Sequence, residues 1–214
     1  MSYMDANSRK ALHCRIKNVI SNLEKNNMAA AYVDTAAEAL TLVKTMIPPH
    51  SYTASGGSMT LLDTGIMNYL KEETDYHEDR RDAYRAEYYL ASANALTDRG
   101  EIYEVDGRSN RISAISFGPE KVILIVGINK LVPSLRAAVE RVKNTASPAN
   151  AIRLCRDTPC TKLGHCISPL FSEDNLFTEG CMAEECICAN ALIMRRQREK
   201  DRITVIIVGE ELGY

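Results

Sequence analysis

The sequence predicts an α/β domain built on a mixed, mostly parallel sheet, and three observations carry that expectation. Helical and β-prone segments alternate through the first third of the chain. Residues 121–127 form a near-continuous apolar run, the pattern of a strand buried on both faces of a sheet. β-prone runs then cluster between residues 89 and 126, and a last apolar run lies at 203–208.

Taken in order, Leu12, Ile16, Val19, Ile20 and Leu23 recur at helical spacing, which predicts a first helix ending at Asn26-Asn27. Residues 28–33 read as a short buried strand. Thr35 and Glu38 have the spacing of a capping box, opening a helix with Ala36, Leu40, Val43 and Ile47 on one face. Pro48-Pro49 closes it. A β-prone run at 51–54 leads into Gly56-Gly57, after which Leu61, Leu62, Ile66 and Leu70 predict one helix to about Leu70. The dense charge of residues 71–85 reads as a solvated helix and loop, with His77 on the surface. Residues 90–96, 102–105, 111–117 and 122–126 read as strands, with turns at Asp106-Gly107 and Gly118-Pro119. Leu135, Ala138, Val139 and Val142 predict a helix running past Ala146. Residues 155–188 are cysteine-rich and irregular, residues 187–198 read as helix or strand, and Arg195, Arg196, Arg198 and Lys200 form a basic patch.

Composition narrows the function. The 214 residues suit a single domain over 1–214, with 45% hydrophobic and 25% charged residues. A net charge of −2 offers no electrostatic footprint for nucleic acid. No apolar run approaches the roughly 20 residues of a membrane helix, and the first residues lack the apolar core of a signal peptide. These features lead to the expectation of a cytoplasmic protein with neither a nucleic-acid nor a membrane partner. No Gly-x-Gly-x-x-Gly run is present, which argues against a Rossmann dehydrogenase.

The first candidate site is the turn Ser55-Gly56-Gly57-Ser58 with Thr60. A strand turning through two glycines into a helix leaves backbone N–H groups aimed one way, and the helix dipole adds partial positive charge. Such a turn suits a phosphate or carboxylate, with hydroxyl donors beside it. The alternative is a tight turn in which Ser58 or Thr60 only caps the helix.

Several blocks together resemble the LUD-domain family, which includes the lactate-utilisation protein C group. They are Ser55-Gly56-Gly57-Ser58-Met59-Thr60-Leu61 with Gly65-Ile66, Ala91-Ser92-Ala93-Asn94-Ala95-Leu96-Thr97 with Gly100-Glu101, and Asp106-Gly107 with Asn110-Arg111. Phe117-Gly118-Pro119, Val126-Gly127-Ile128-Asn129-Lys130, Thr158-Pro159-Cys160 and Val208-Gly209-Glu210-Glu211-Leu212-Gly213 complete the set. The resemblance implies the three-layer α/β/α sandwich shared by glucosamine-phosphate deaminases, ribose-phosphate isomerases and CoA transferases. It also implies a bacterial role in oxidising L-lactate to pyruvate, as a component working beside iron–sulfur subunits. The glycine turn matches the position where related folds hold anionic substrates. Asn94, Asn110, Arg111, Asn129 and Lys130 fall at strand ends or turns of the matching blocks, and Arg111 and Lys130 are suited to pairing with an anion. For the three asparagines, turn-making is the competing role. CoA transferases of this fold use a glutamate nucleophile; Glu101 is the nearest candidate, against an exposed glutamate at a strand start.

Six of the seven cysteines lie within residues 155–188. Cys160, Cys166, Cys181 and Cys186 form a candidate set of four soft ligands for zinc or an iron–sulfur cluster, with Cys188 and His165 close in sequence. The alternative is buried free thiols. The leading expectation is therefore a lactate or 2-hydroxy-acid pathway component binding a small anionic metabolite, compatible with iron–sulfur partner subunits and with a homo-oligomer. An independent CoA-transferase or sugar-phosphate-isomerase type of enzyme, using Glu101 or Asp63, and a non-catalytic assembly module are the alternatives.

Overall fold

The structure, a computed structural model, describes residues 5–168, 177 and 179–214. Six strands form a parallel sheet in the order β1 (Ala29–Val33), β10 (Ile203–Val208), β7 (Lys121–Gly127), β4 (Tyr88–Ala91), β2 (Tyr52–Ser55) and β3 (Asp75–His77). The expected α/β sandwich is found. Its antiparallel pairs lie in a second sheet rather than in the first. That sheet has four strands in the order β8 (Leu131–Val132), β5 (Ala95–Thr97), β6 (Ile102–Asp106) and β9 (Asn190–Met194).

Strand alternation divides the main core in two. Leu90, Ile123, Ile125, Ile206 and Val208 face a helical layer of α2 (Ala36–Met46), α3 (Met59–Asp63) and α4 (Ile66–Glu73). Tyr89, Ala91, Val122, Leu124 and Val126 face the other way. There they meet α1 (Ala6–Lys25), α5 (Asn110–Ser116) and Ile102 of the second sheet. A third cluster packs Tyr103, Val105 and Val132 of the second sheet against α6 (Leu135–Arg141).

The local signals explain most elements. Asp5 caps α1 by accepting from Asn7 and Ser8 N–H groups, and Thr35 and Glu38 form the reciprocal capping box of α2. The helix expected through Leu70 is broken. Gly65 takes φ 72, and the Thr64 hydroxyl donates back to the Thr60 carbonyl at 2.8 Å, so α3 ends and α4 begins afresh. The charged run of residues 71–85 holds a short edge strand, β3, and a 3₁₀ turn at Asp82–Arg85 instead of a helix. His77 stays half-exposed between Asp75 and Asp82. Residues 90–96 are two strands in different sheets, β4 and β5. Residues 111–117 are not a strand: 111–116 lie in α5 and Phe117 ends it, while the Asp106 carboxylate accepts the N-terminal N–H groups of Arg111 and Ile112. At its other end the buried Arg202 donates to the Ile115 and Ala114 carbonyls.

The helix after Leu135 passes Ala146 as expected, through a π turn at Val142–Ala146 into α7 (Ser147–Arg153). Residues 187–198 supply the strand β9. Among its described residues the cysteine-rich segment contains one five-residue helix, α8 (Pro159–Leu163), and residues 169–176 and 178 lie outside the described part. Among the described residues no helix is long and apolar enough to cross a membrane.

Candidate functional site

The carboxyl ends of β2, β4 and β7 bring three connections together, the place where open α/β sheets gather ligand contacts. After β2 comes Gly56 to Thr60, after β4 comes Ser92 to Asn94, and after β7 comes a 3₁₀ turn ending at Lys130. The second sheet closes over them. On β6, Ile102 and Glu104 share one face because side chains alternate along a strand, and Ile102 belongs to the main core. Glu104 is therefore driven into the space between the two sheets, where its exposure is 0%.

The Glu104 carboxylate is met by one cation. Its Oε2 lies 3.0 Å from an Arg111 guanidinium nitrogen. Among the described residues the Asn94 backbone N–H is its other nearby donor, and neither carboxylate oxygen accepts a hydrogen bond of good geometry. Arg111 is held in place by other acceptors, donating to Asn94 Oδ1 and the Val105 carbonyl, both at 2.8 Å. Asn94 Oδ1 also takes the Val105 N–H at 2.9 Å, tying the β4 connection to β6. Lys130, 3% exposed, donates to the hydroxyls of Thr60 at 2.8 Å and Ser92 at 2.9 Å. Arg141 fastens the walls, donating to the Asn129 carbonyl at 2.9 Å and the Asn94 carbonyl at 2.6 Å.

Burial sets the protonation of this group. Desolvation lifts the Glu104 carboxyl to a pKa of about 7, against the opposing pull of Arg111 and Lys130. Desolvation, with the nearby Arg141 cation adding to it, lowers Lys130 to about 7. The site thus holds an acid and a base that both change charge near neutral pH, a condition for proton transfer.

The glycine turn borders this cluster. The Gly56 N–H donates to the Leu90 carbonyl at 2.9 Å, extending the sheet. A Cβ on Gly56 would sit 2.8 Å from the Tyr89 hydroxyl and 2.9 Å from Arg111 Cδ, so only glycine lets the arginine stem cross here. A Cβ on Gly57 would meet nothing within 4 Å; the space above it is open.

Gly56, Thr60, Asn94, Arg111 and Lys130 thus converge, with Gly57 at the open edge. Four others stand elsewhere. Ser55 points to the opposite face of the sheet, its hydroxyl 2.8 Å from the Tyr76 hydroxyl. Ser58 caps α3 by accepting the Leu61 N–H at 3.3 Å, and a five-residue helix offers little dipole for an anion. Asn110 opens α5 and makes no hydrogen bond or ion pair to the cluster; its carbonyl takes the Ser113 hydroxyl. Asn129 clamps the C-terminal segment, accepting the Leu212 N–H at 3.2 Å and donating to the Gly213 carbonyl at 3.3 Å. Glu101 lies at a turn and accepts the Thr97 hydroxyl at 2.9 Å, while Asp63 accepts the Gly213 N–H at 2.8 Å. Glu104 and Ser92 escaped the sequence reading. A signal for Glu104 was present: a carboxylate two residues after Ile102, inside the apolar run Ile102-Tyr103-Glu104-Val105.

The cysteines form a separate group. Cys160, Cys166, Cys181 and Cys188 line one cavity, and Cys186 Sγ stands 3.6 Å from Cys188 Sγ. Cys188 therefore takes the place at the cavity that spacing assigned to Cys186. Among the described residues no three His, Cys, Asp or Glu side chains converge on a point as a bound ion requires.

A LUD domain family model matches residues 16–208. A solved DUF162-family protein from Deinococcus radiodurans superposes with a TM-score of 0.54 at 14% identity, over 92% of this chain and 97% of that one. At that identity the likeness concerns the fold. No curated protein matches the chain. With the family model spanning both sheets and every connection that builds the Glu104 cluster, the chain belongs to the LUD-domain family.

Proposed function

We propose that this chain is a cytoplasmic component of bacterial lactate utilisation that binds L-lactate or pyruvate between the Gly56-Gly57 turn and Glu104. The observation that carries ligand binding is Glu104 itself. Fully buried and held only by Arg111 at 3.0 Å and the nearby Asn94 N–H, this carboxylate has no hydrogen bond of good geometry to either oxygen and keeps acceptor capacity for a ligand's donor. A 2-hydroxy acid complements the site: its carboxylate suits Arg111 and Lys130, and its hydroxyl suits Glu104 as acceptor. Membership of a family generally linked to lactate utilisation supports this choice of metabolite.

Glu104 would accept the hydroxyl proton, its pKa near 7 keeping the ionised form populated at neutral pH. Oxidation of L-lactate to pyruvate also releases a second proton and two electrons. The sequence carries no dinucleotide fingerprint, and the electrons are assigned to an iron–sulfur partner subunit. A second reading, an independent transferase or isomerase, is favoured by the same residue: Glu104, not Glu101 or Asp63, is the buried carboxylate placed to act as base or nucleophile.

Thermal unfolding with L-lactate, pyruvate, ribose 5-phosphate, glucosamine 6-phosphate and acetyl-CoA separates the readings. L-lactate or pyruvate is expected to raise the Tm of the native chain and to leave Arg111→Ala unmoved. Stabilisation by a sugar phosphate or acetyl-CoA alone would favour the second reading, and stabilisation by none of the five would remove the ligand assignment.

A further inference from the structure

Five cysteines between Cys160 and Cys188 play no part in the Glu104 cluster, and all are free thiols. Four of them, Cys160, Cys166, Cys181 and Cys188, line a single cavity of about 20 Å³ beneath the π turn and α7. From this shared lining we propose that the chain holds a thiolate-ligated metal centre at Cys160, Cys166, Cys181 and Cys188.

The surroundings fit such a centre. Cys166 Sγ accepts the Ser168 N–H at 3.4 Å, and Cys160 Sγ lies 3.2 Å from the Thr158 hydroxyl, the kind of outer contacts that orient metal-binding thiolates. The buried Lys143 lines the same cavity and donates to the Ser168 hydroxyl at 2.6 Å. Its ammonium lies where four thiolates around a divalent ion would leave net negative charge. Disulfide chemistry fits less well. Cys186 and Cys188 stand 3.6 Å apart, against about 2.05 Å for an S–S bond. Pairing any two would also leave the other thiols of the cavity unused.

The thiols line the cavity without converging to bonding distance, so metal uptake requires the four sulfurs to move toward one another. Thiolate sites form that way, because ligation and ordering of the ligand loop are one equilibrium. Binding of a zinc ion exchanges four thiol protons for four Zn–S bonds, with the protons leaving to solvent.

The experiment is metal and acid-labile sulfide analysis of the full chain purified without oxygen, then challenged with Zn²⁺ or with Fe²⁺ and sulfide. About one centre per chain is expected. Zinc alone would identify a mononuclear site, and iron with equal sulfide would identify a cluster; both support the proposal. Cys160→Ser with Cys166→Ser is expected to reduce bound metal at least tenfold, while Cys14→Ser with Cys155→Ser retains it. Should the first variant fold poorly, alkylation of the native chain replaces it. Cys160, Cys166, Cys181 and Cys188 should be protected until a chelator is added, with Cys14 labelled throughout. A chain that takes up neither metal, or metal retained in the Cys160/Cys166 variant, would overturn the assignment. The L-lactate response of the native chain is read separately, because the two sites share no residue.

Discussion

Replacing Glu104 with glutamine keeps the side-chain shape and removes its titration, and the structure fixes what should follow. The folded carboxyl sits at about 7, against 4.5 for an unperturbed one. A group held above its unfolded value binds its proton more tightly in the folded chain. Its stabilising contribution is therefore fully present below about 4.5 and is lost as the pH rises through about 7. At about 1.4 kcal/mol per tenfold change in proton affinity, the ionised form costs the native state roughly 3 kcal/mol above neutrality. Glu104→Gln escapes that cost. Arg111 is not orphaned by the change, because Asn94 Oδ1 and the Val105 carbonyl still accept from it. Lys130 acts in a separate window. Its lowered pKa makes stability rise as the pH climbs from about 7 toward 10.5. Thermal unfolding followed by far-ultraviolet circular dichroism from pH 5 to 7.5 is the assay. At pH 5 the variant should exceed the native chain only slightly, because the unfolded carboxyl has just begun to ionise above about 4.5. At pH 7.5 it should exceed it by about 6–12 °C, the shift that roughly 3 kcal/mol produces in a chain of this size. Parallel curves for the two proteins would refute the reasoning. A variant less stable at pH 7.5 would mean that attraction to Arg111 outweighs burial.

Three further outcomes follow from the geometry. Gly56→Ala forces a methyl within 3 Å of the Tyr89 hydroxyl and the Arg111 stem and should cost about 1–3 kcal/mol in denaturant unfolding. Gly57→Ala enters open space and should leave unliganded stability within about 0.5 kcal/mol, while weakening L-lactate or pyruvate binding in a calorimetric titration. Arg202→Ala removes the donors to the Ala114, Ile115 and Pro119 carbonyls and should cost about 2–4 kcal/mol, read as a lower urea midpoint with unchanged slope.

What the sequence revealed and what it hid divide along the range of the forces involved. The Thr35–Glu38 box, the apolar run at 121–127 and the glycine turn are local signals, and each lies where its pattern indicates. The helix α5 was hidden because Arg111-Ile112-Ser113-Ala114 alternates polar and apolar residues as a strand does, and the run is short. Its helical state is fixed from outside, by Asp106 at one end and Arg202 at the other. The edge strand β3 was masked by the charges that protect an edge from unwanted pairing. At the candidate site, Arg111, Lys130, Asn94 and Thr60 were legible as block residues, but their convergence was not. It depends on the second sheet folding over the first. The same packing buries Glu104, turning an ordinary strand carboxylate into the least satisfied polar group of the site. Asn129 shows the reverse case: it sits at a strand's carboxyl end as a ligand contact would, yet its amide is spent on Leu212 and Gly213.

In the proposed function Glu104 is a buried carboxyl, titrating near neutrality, that meets the metabolite. The most direct measurement is a ¹³C NMR titration of the chain labelled at the glutamate carboxyl carbons, with Glu104→Gln identifying the resonance. One resonance, missing in the variant, is expected to titrate near pH 7 and to shift when L-lactate or pyruvate is added. A Glu104 resonance that titrates with the exposed carboxylates near 4.5 and ignores both ligands would contradict the proposed function.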